Sequence, residues 1–391
     1  MNTRNIIISL AFVALVAATI ASGQGTAADV PQALPQLQYA VIDLGEDAIG
    51  NGITDSGRII GSKFFGGADR HAAFWPNIQS TPTDLGTLPG FTGSRGLGIN
   101  PRGQMVGVAF PLSSARPLFW SSSQSAPMEL LGLPVGLFGL ASGINPRGQI
   151  VGVFFSEDFS VQRPVFWPNS NAAAIYLPGF GDKLPLSEAL SVNASGNILG
   201  DGGDADTGET HAAFWASSTS TPVALASPGG EFIYTGIALS SEGAVAPGLN
   251  NAGSMVGYAN NADFSETRAV FWASSSSPAV ILSTTGEFNN GTAEGISDKG
   301  QIVGTAYNSD FSDTHAFMWP SSTSPGIDLN TVIPPDSGWE LGVARSINNR
   351  GEITGAGILN GAFHAYALIP VPGPVAGNFN SPSTTHMLNA Y

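Results

Sequence analysis

The chain of 391 residues contains no cysteine. Disulfides, thiolate metal sites, thiol nucleophiles and thiol redox chemistry are therefore excluded. Basic residues are scarce: 14 Lys plus Arg stand against 29 Asp plus Glu, giving a formal net charge of −15. Nucleic acids and anionic lipid surfaces are held chiefly by clustered basic side chains, so neither is an expected partner. Charged residues of both signs make up only 11% of the chain, against roughly 25% in ordinary soluble domains. Ser, Thr, Asn and Gly must carry the surface instead. With 50 Gly and 27 Pro, long helices are disfavoured. The apolar fraction of 42% still suffices for a packed core, which argues against disorder. After the first two dozen residues no apolar run is long enough for a membrane helix.

Those first residues read as an address. Arg4 precedes an apolar run over 6–20, and Ala21-Ser22-Gly23 offers a small-residue cleavage site before Gln24. The expectation is a signal peptide at 1–23, with an uncleaved anchor as the alternative, and hence a secreted, periplasmic or otherwise extracellular protein. A linker at 24–38, a single domain at 39–370 and a flexible polar tail at 371–391 complete the expected layout.

What the chain does have is repetition. A turn reads GITDSGRIIG at 52–61, GINPRGQMVG at 98–107 and GINPRGQIVG at 143–152, and four further copies end at Gly200, Gly257, Gly304 and Gly355. The turn glycines Gly57, Gly103, Gly148, Gly196, Gly253, Gly300 and Gly351 step by 46, 45, 48, 57, 47 and 51 residues. Trp75, Trp120, Trp167, Trp215, Trp272 and Trp319 step by 45, 47, 48, 57 and 47. Two independent markers with one rhythm, including the same long fifth unit, define seven repeats of about 47 residues.

Each turn has a mechanism. In Asn100-Pro101-Arg102-Gly103 the Asn side chain closes an Asx-turn, proline presets φ, and glycine takes the left-handed position of a hairpin with a bulge. An aromatic strand such as Leu118-Phe119-Trp120 follows, then a short strand such as Thr83-Asp84-Leu85. Four short strands per unit predict an all-β seven-bladed β-propeller, with another all-β repeat array as the alternative. The segment 39–44 stands where a unit's last strand belongs, and 364–368 is an aromatic strand. The two are expected to pair and close the ring, hiding both edges.

The pattern Gly-Ile-Asn-x-x-Gly-Gln-Ile-Val-Gly, then His315-Ala316-Phe317-Met318-Trp319, with Asp84-Leu85-Gly86-Thr87-Leu88-Pro89-Gly90, resembles the HAF repeat of bacterial extracellular repeat proteins. The resemblance spans about 39–370. It implies an exported repeat protein and carries no catalytic residue across. Many relatives end in a Pro-Glu-Pro sorting signal with an apolar helix and basic residues. Val371-Pro372-Gly373-Pro374 stands there without them, so the resemblance implies free export over surface anchoring.

Candidate sites are few. His71, Arg116, Arg163, His211, Arg268, His315 and His364 open the aromatic strand of every unit. They form either a ring of cations for an anionic ligand or, as a feature of every repeat, local structure bonding acids such as Asp84 and Asp328. Loops ahead of this strand carry Asp158-Phe159-Ser160, Asp263-Phe264-Ser265 and Asp310-Phe311-Ser312. The loop 201–209, with Asp201, Asp204, Asp206 and Glu209, is a weak Ca²⁺ candidate that lacks an EF-hand frame. No other cofactor or metal site is expected, and no catalytic motif occurs. The long fifth unit, around 231–245, with Glu231, Phe232 and Tyr234, and the off-repeat Trp339 are the candidate binding positions, since binding is often grafted where a repeat is broken. The expected function is an exported, non-catalytic scaffold binding an extracellular protein or glycan. The alternative is an extracellular polysaccharide hydrolase or lyase with its site on one propeller face.

Overall fold

The computed structural model describes residues 37–67, 69–180, 187–203, 210–237 and 248–371. The expected signal segment, most of the linker, the tail from 372, and Asp204, Asp206 and Glu209 lie outside the described residues. So does the stretch 238–247 of the long fifth unit.

Seven four-stranded antiparallel sheets form a seven-bladed β-propeller. Blade two shows the plan, with Gly93–Ile99, Met105–Phe110, Arg116–Trp120 and Met128–Glu129 running from the centre outwards. Blade seven is made from both ends of the described chain. Its first three strands are Trp339–Ile347, Ile353–Leu359 and Ala362–Val371, and its outermost strand is Gln38–Glu46. Val41 pairs with Leu368 and Ile42 with Ala367, the closure expected from the repeat order.

Both glycines of the turn motif have a cause. Gly103 and its equivalents sit at φ between 76° and 89°, the left-handed conformation that only glycine adopts without strain. The glycine that ends the motif answers a different demand. At Gly107 an added Cβ would overlap the carbonyl oxygen of Arg95 on the inner strand, and Gly61, Gly152, Gly200, Gly257, Gly304 and Gly355 face equivalent overlaps. There the inner strand bulges, as at Gly96/Gly98, and the two backbones approach too closely for any side chain.

The aromatic strand joins neighbouring blades through its alternation. In His71–Trp75, Ala73 and Trp75 pack with Leu44, Ala365 and Ala367 of blade seven, while Ala72 and Phe74 pack with Met105, Leu118 and Trp120 of blade two. The strand therefore buries one face against each neighbour. The buried indoles also donate to carbonyls of the preceding blade: Trp75 to Leu44 at 3.0 Å, Trp120 to Leu85 at 2.9 Å and Trp319 to Ser283 at 2.7 Å. A buried indole N–H without a partner would cost roughly 1–3 kcal/mol, so these contacts fix seam geometry as well as filling space.

Antiparallel pairing sorts the connections onto two faces. First-to-second strand turns and third-to-fourth strand loops share one end of the ring, called here the turn face. Second-to-third strand loops and the links between blades share the other, the loop face.

Candidate functional site

The turn face is built from hairpins that hold each other. Asn100 Oδ1 accepts from the backbone N–H groups of Arg102 and Gln104, the expected Asx-turn. Its Nδ2 then reaches the next blade and donates to the Asn145 carbonyl at 3.0 Å. Asn145 does the same to Asn193, Asn193 to Asn250, Asn250 to Ser297 and Asn348 to Thr54, at 2.9–3.1 Å. Thr54 and Ser297, with shorter side chains and no amide, interrupt the chain of bonds. One position further on, Asp298 and Asp55 accept from the backbone N–H groups of Asn251 and Asn349. Pro101 and Pro146 stand at that position in blades two and three and have no N–H to offer.

Inside this ring lies a cavity of about 210 Å³ walled by all seven blades, with Ile53, Ile99, Ile144, Val192, Leu249, Ile296 and Ile347 among its lining. The carboxylates at its mouth are already bonded. Asn349 Nδ2 donates to Asp55 at 3.0 Å and Asp298 at 3.1 Å. Although partial burial opposes it, the hydrogen bonds from Asn251 and Asn349 hold Asp298 below the usual carboxylate range. The asparagine amides and carboxylates named above serve the ring, whereas Asn51 Oδ1, also in the lining, is buried without a hydrogen-bond partner.

The loop face differs. In the Asp-Phe-Ser turns of blades three, five and six, Asp158, Asp263 and Asp310 accept from the backbone N–H and hydroxyl of the serine two residues on. The Ser156 hydroxyl, with the two bonds from Ser160, pulls Asp158 down to about 2. These acids, noted in the loops ahead of the aromatic strands, are thus engaged as turn locks. The residue they lock is unexpected: Phe159, Phe264 and Phe311 sit at φ of 55°, 59° and 60°. A β-carbon in that region costs on the order of 1–2 kcal/mol. Each ring is 38–44% exposed and stacks on a neighbour of its own blade, Phe155, Tyr234 or Tyr307, at 4.8–5.1 Å. Phe64 and Phe65, in the corresponding loop of blade one, are also exposed.

The His and Arg side chains that open the aromatic strands lie on this face, and most of them pair locally. His71 bonds Asp84 at 3.0 Å, His315 bonds Asp328 at 2.7 Å and His364 bonds Asp43 at 2.8 Å. Arg116 lies 3.4 Å from Glu129 and Arg268 lies 2.6 Å from Glu266. Arg163 is exposed, and His211 stands at the same place in blade four. The structure thus pairs five of these side chains, His71, Arg116, Arg268, His315 and His364, each with an acid.

Among the fifth-unit candidates, Glu231 is exposed, Phe232 is buried beneath the Arg268 guanidinium at 5.2 Å, and Tyr234 carries the Phe264 ring. The described residues of this inner strand end at Ile237 and resume at Gly248, and the extra residues of the unit lie between, outside the described residues. In the other six blades a single bulge residue, such as Ser142 or Glu294, stands at that point. Trp339 is half-buried against His364 and Tyr366 at 6.0 and 5.9 Å, in the core of blade seven. Asp201 is not on an open loop. It is buried in the strand Ile198–Gly203, accepts from the Ile237 N–H at 3.0 Å and faces Glu188 across the ladder. Burial pushes Glu188 up to about 7, and burial together with the Glu188 charge raises Asp201 well above its usual value.

No family model matches the chain, and no curated protein matches it. Solved structures do. A GH74 enzyme from Niastella koreensis is 10% identical, with a TM-score of 0.50 over 87% of this chain and 44% of that one. The chain thus spans less than half the length of that enzyme. YCF48 from Cyanidioschyzon merolae is 9% identical, with a TM-score of 0.49 over 86% of this chain and 100% of that one. The β-propeller domain of the Trilobed protease from Pyrococcus furiosus is 12% identical, with a TM-score of 0.43 over 73% and 85%. At such identities the likeness is one of fold. No helix among the described residues is long and apolar enough to cross a membrane.

Proposed function

We propose that the protein is an exported binding scaffold that takes an extracellular protein or glycan on its loop face, with Phe159, Phe264 and Phe311 as apolar anchors. The observation that carries this reading is the backbone of those three residues. Phenylalanine has no reason of its own to adopt φ near +60°, and strain kept at an exposed position is a sign of use. The Asp-Phe-Ser lock holds each ring outward, and the ring stacked beneath it limits its motion. Anchors ordered in advance lose little entropy on binding.

The hydrolase alternative calls for two positioned carboxylates, one kept neutral as a general acid. At the cavity mouth the amide donors hold Asp298 below the usual carboxylate range, and Asp201 of the raised Glu188–Asp201 pair is buried under a bond from the Ile237 N–H. Neither arrangement presents an open acid to a substrate, which supports the binding reading. A glycan array and a pull-down with the purified propeller test the proposal against a variant carrying Phe159→Ala, Phe264→Ala and Phe311→Ala. The expected result is loss of captured partner with unchanged unfolding temperature. Full retention of binding by the triple variant would remove the phenylalanines from the function.

A further inference from the structure

We propose that His315, Asp313 and Glu340 form a binding site for a first-row transition-metal dication, with Zn²⁺ as the reference ion, at the seam between blades six and seven. This inference is independent of the binding role of the phenylalanines.

The ligating atoms of the three side chains lie within 4.8 Å of one another. They come from separate pieces of chain: Asp313 precedes the strand Thr314–Trp319, His315 lies within it, and Glu340 belongs to the inner strand Trp339–Ile347 of the next blade. The imidazole is fixed before any ion arrives. His315 Nδ1 is bonded to Asp328 Oδ2 at 2.7 Å, and the Phe288 ring covers the imidazole with centroids 4.3 Å apart. An acid on Nδ1 sets the tautomer that leaves the Nε2 lone pair free, the outer-shell arrangement metal-binding histidines use. That Nε2 is 3.6 Å from Asp313 Oδ1. A tetrahedral ion with bonds of about 2.0–2.1 Å needs its ligands roughly 3.3 Å apart, so this pair is already close to the required spacing. Glu340 is exposed, and its three side-chain torsions let it close the set.

The donor types select the ion. Imidazole is a good ligand for zinc and its neighbours, whereas calcium takes oxygen ligands, six to eight of them. Three protein donors leave a fourth position for water or for a group brought by a partner. The same scaffold supplies its own comparison: His71 with Asp84, and His364 with Asp43, repeat the imidazole–acid pair. Among the described residues only the blade-six histidine gathers two further ligands.

The test is calorimetric titration of chelator-treated, full-length protein with Zn²⁺, using Ca²⁺ for comparison, followed by Co²⁺ absorption spectroscopy. One equivalent of Zn²⁺ is expected to bind at micromolar or lower concentration, with Ca²⁺ at least tenfold weaker, and Co²⁺ is expected to give the intense visible bands of a tetrahedral site. Glu340→Gln, at an exposed position where folding is unaffected, and Asp313→Asn should each weaken Zn²⁺ at least tenfold. Asp328→Asn should weaken it about 10–100-fold through the outer shell, and His71→Asn should change nothing. Absence of saturable Zn²⁺ binding at millimolar metal, or equal affinity in the folded Glu340→Gln and Asp313→Asn variants, would overturn the proposal and leave His315 as an ion-paired imidazole.

Discussion

On the turn face, five residues separate the first two strands of six blades, and in blade five the same five, 250–254, lie between the bridged Leu249 and Met255; side chains of these turns bond from one blade to the next. On the loop face, the second-to-third strand loops range from two residues, Asn360 and Gly361, to seven at 64–70, and side chains there mostly bond within their own blade. Both faces carry both signs of charge: Arg102, Arg147, Lys299 and Arg350 stand on the turn face with Asp55 and Asp298, and the Asp-Phe-Ser acids stand on the loop face with Arg116, Arg163 and Arg268. One end of the ring is therefore used to make a ring, and the other is left to vary. Symmetry marks the structural end, and departures from symmetry mark the end proposed to meet a ligand.

Substitutions can break or sharpen this contrast. The largest effect is expected at the seams that serve both faces. Trp120→Ala removes a fully buried indole and its bond to Leu85, and should cost about 3–5 kcal/mol in denaturant unfolding. Next comes the charge stored at the loop-face end of blade four. The folded protein keeps Glu188 protonated up to about pH 7, whereas unfolded it ionises near 4.5. The native state thus binds more protons in that window, so stability falls as pH rises through it and levels off above. Glu188→Gln should unfold like the parent near pH 4 and be more stable by about 1–3 kcal/mol at pH 8, as read from urea curves at both pH values.

Smaller effects separate the two faces directly. Asn145→Ala loses both its turn and its bond to blade four and should cost about 1–2 kcal/mol. Ser297→Asn restores the amide missing from blade six and should gain about 0.5–1 kcal/mol. A loss of stability there would show that the ring cannot be completed at that seam. The smallest stability change is expected on the loop face. Phe264→Gly relieves a left-handed backbone at an exposed site and should leave stability within about 1 kcal/mol of the parent or above it, while weakening capture of the partner.

Much of the ring was legible in the sequence because its causes are local. A turn glycine at positive φ, a tryptophan at a fixed step and an Asn-Pro-Arg-Gly turn each impose geometry on their own neighbours. The closure of 39–44 on 364–368 followed from repeat order alone. What stayed hidden depends on partners in another repeat. The amide of Asn100 ends on a main-chain carbonyl 45 residues away, and any residue type could supply a carbonyl. Asp313, His315 and Glu340 meet across a seam that no spacing within one unit describes. The phenylalanines were in view but were read for the acids beside them, since sequence gives no sign that a bulky residue will take the left-handed conformation.

The closing strand has a mechanical consequence. Gln38 and Val371 face each other at the same end of one antiparallel ladder. Tension applied between the two ends of the propeller would part that ladder rung by rung, as a zip opens, instead of shearing all its rungs together. The ring is thus weakest to a pull at the place where it was closed, and a load carried through one end alone would leave the zip untouched.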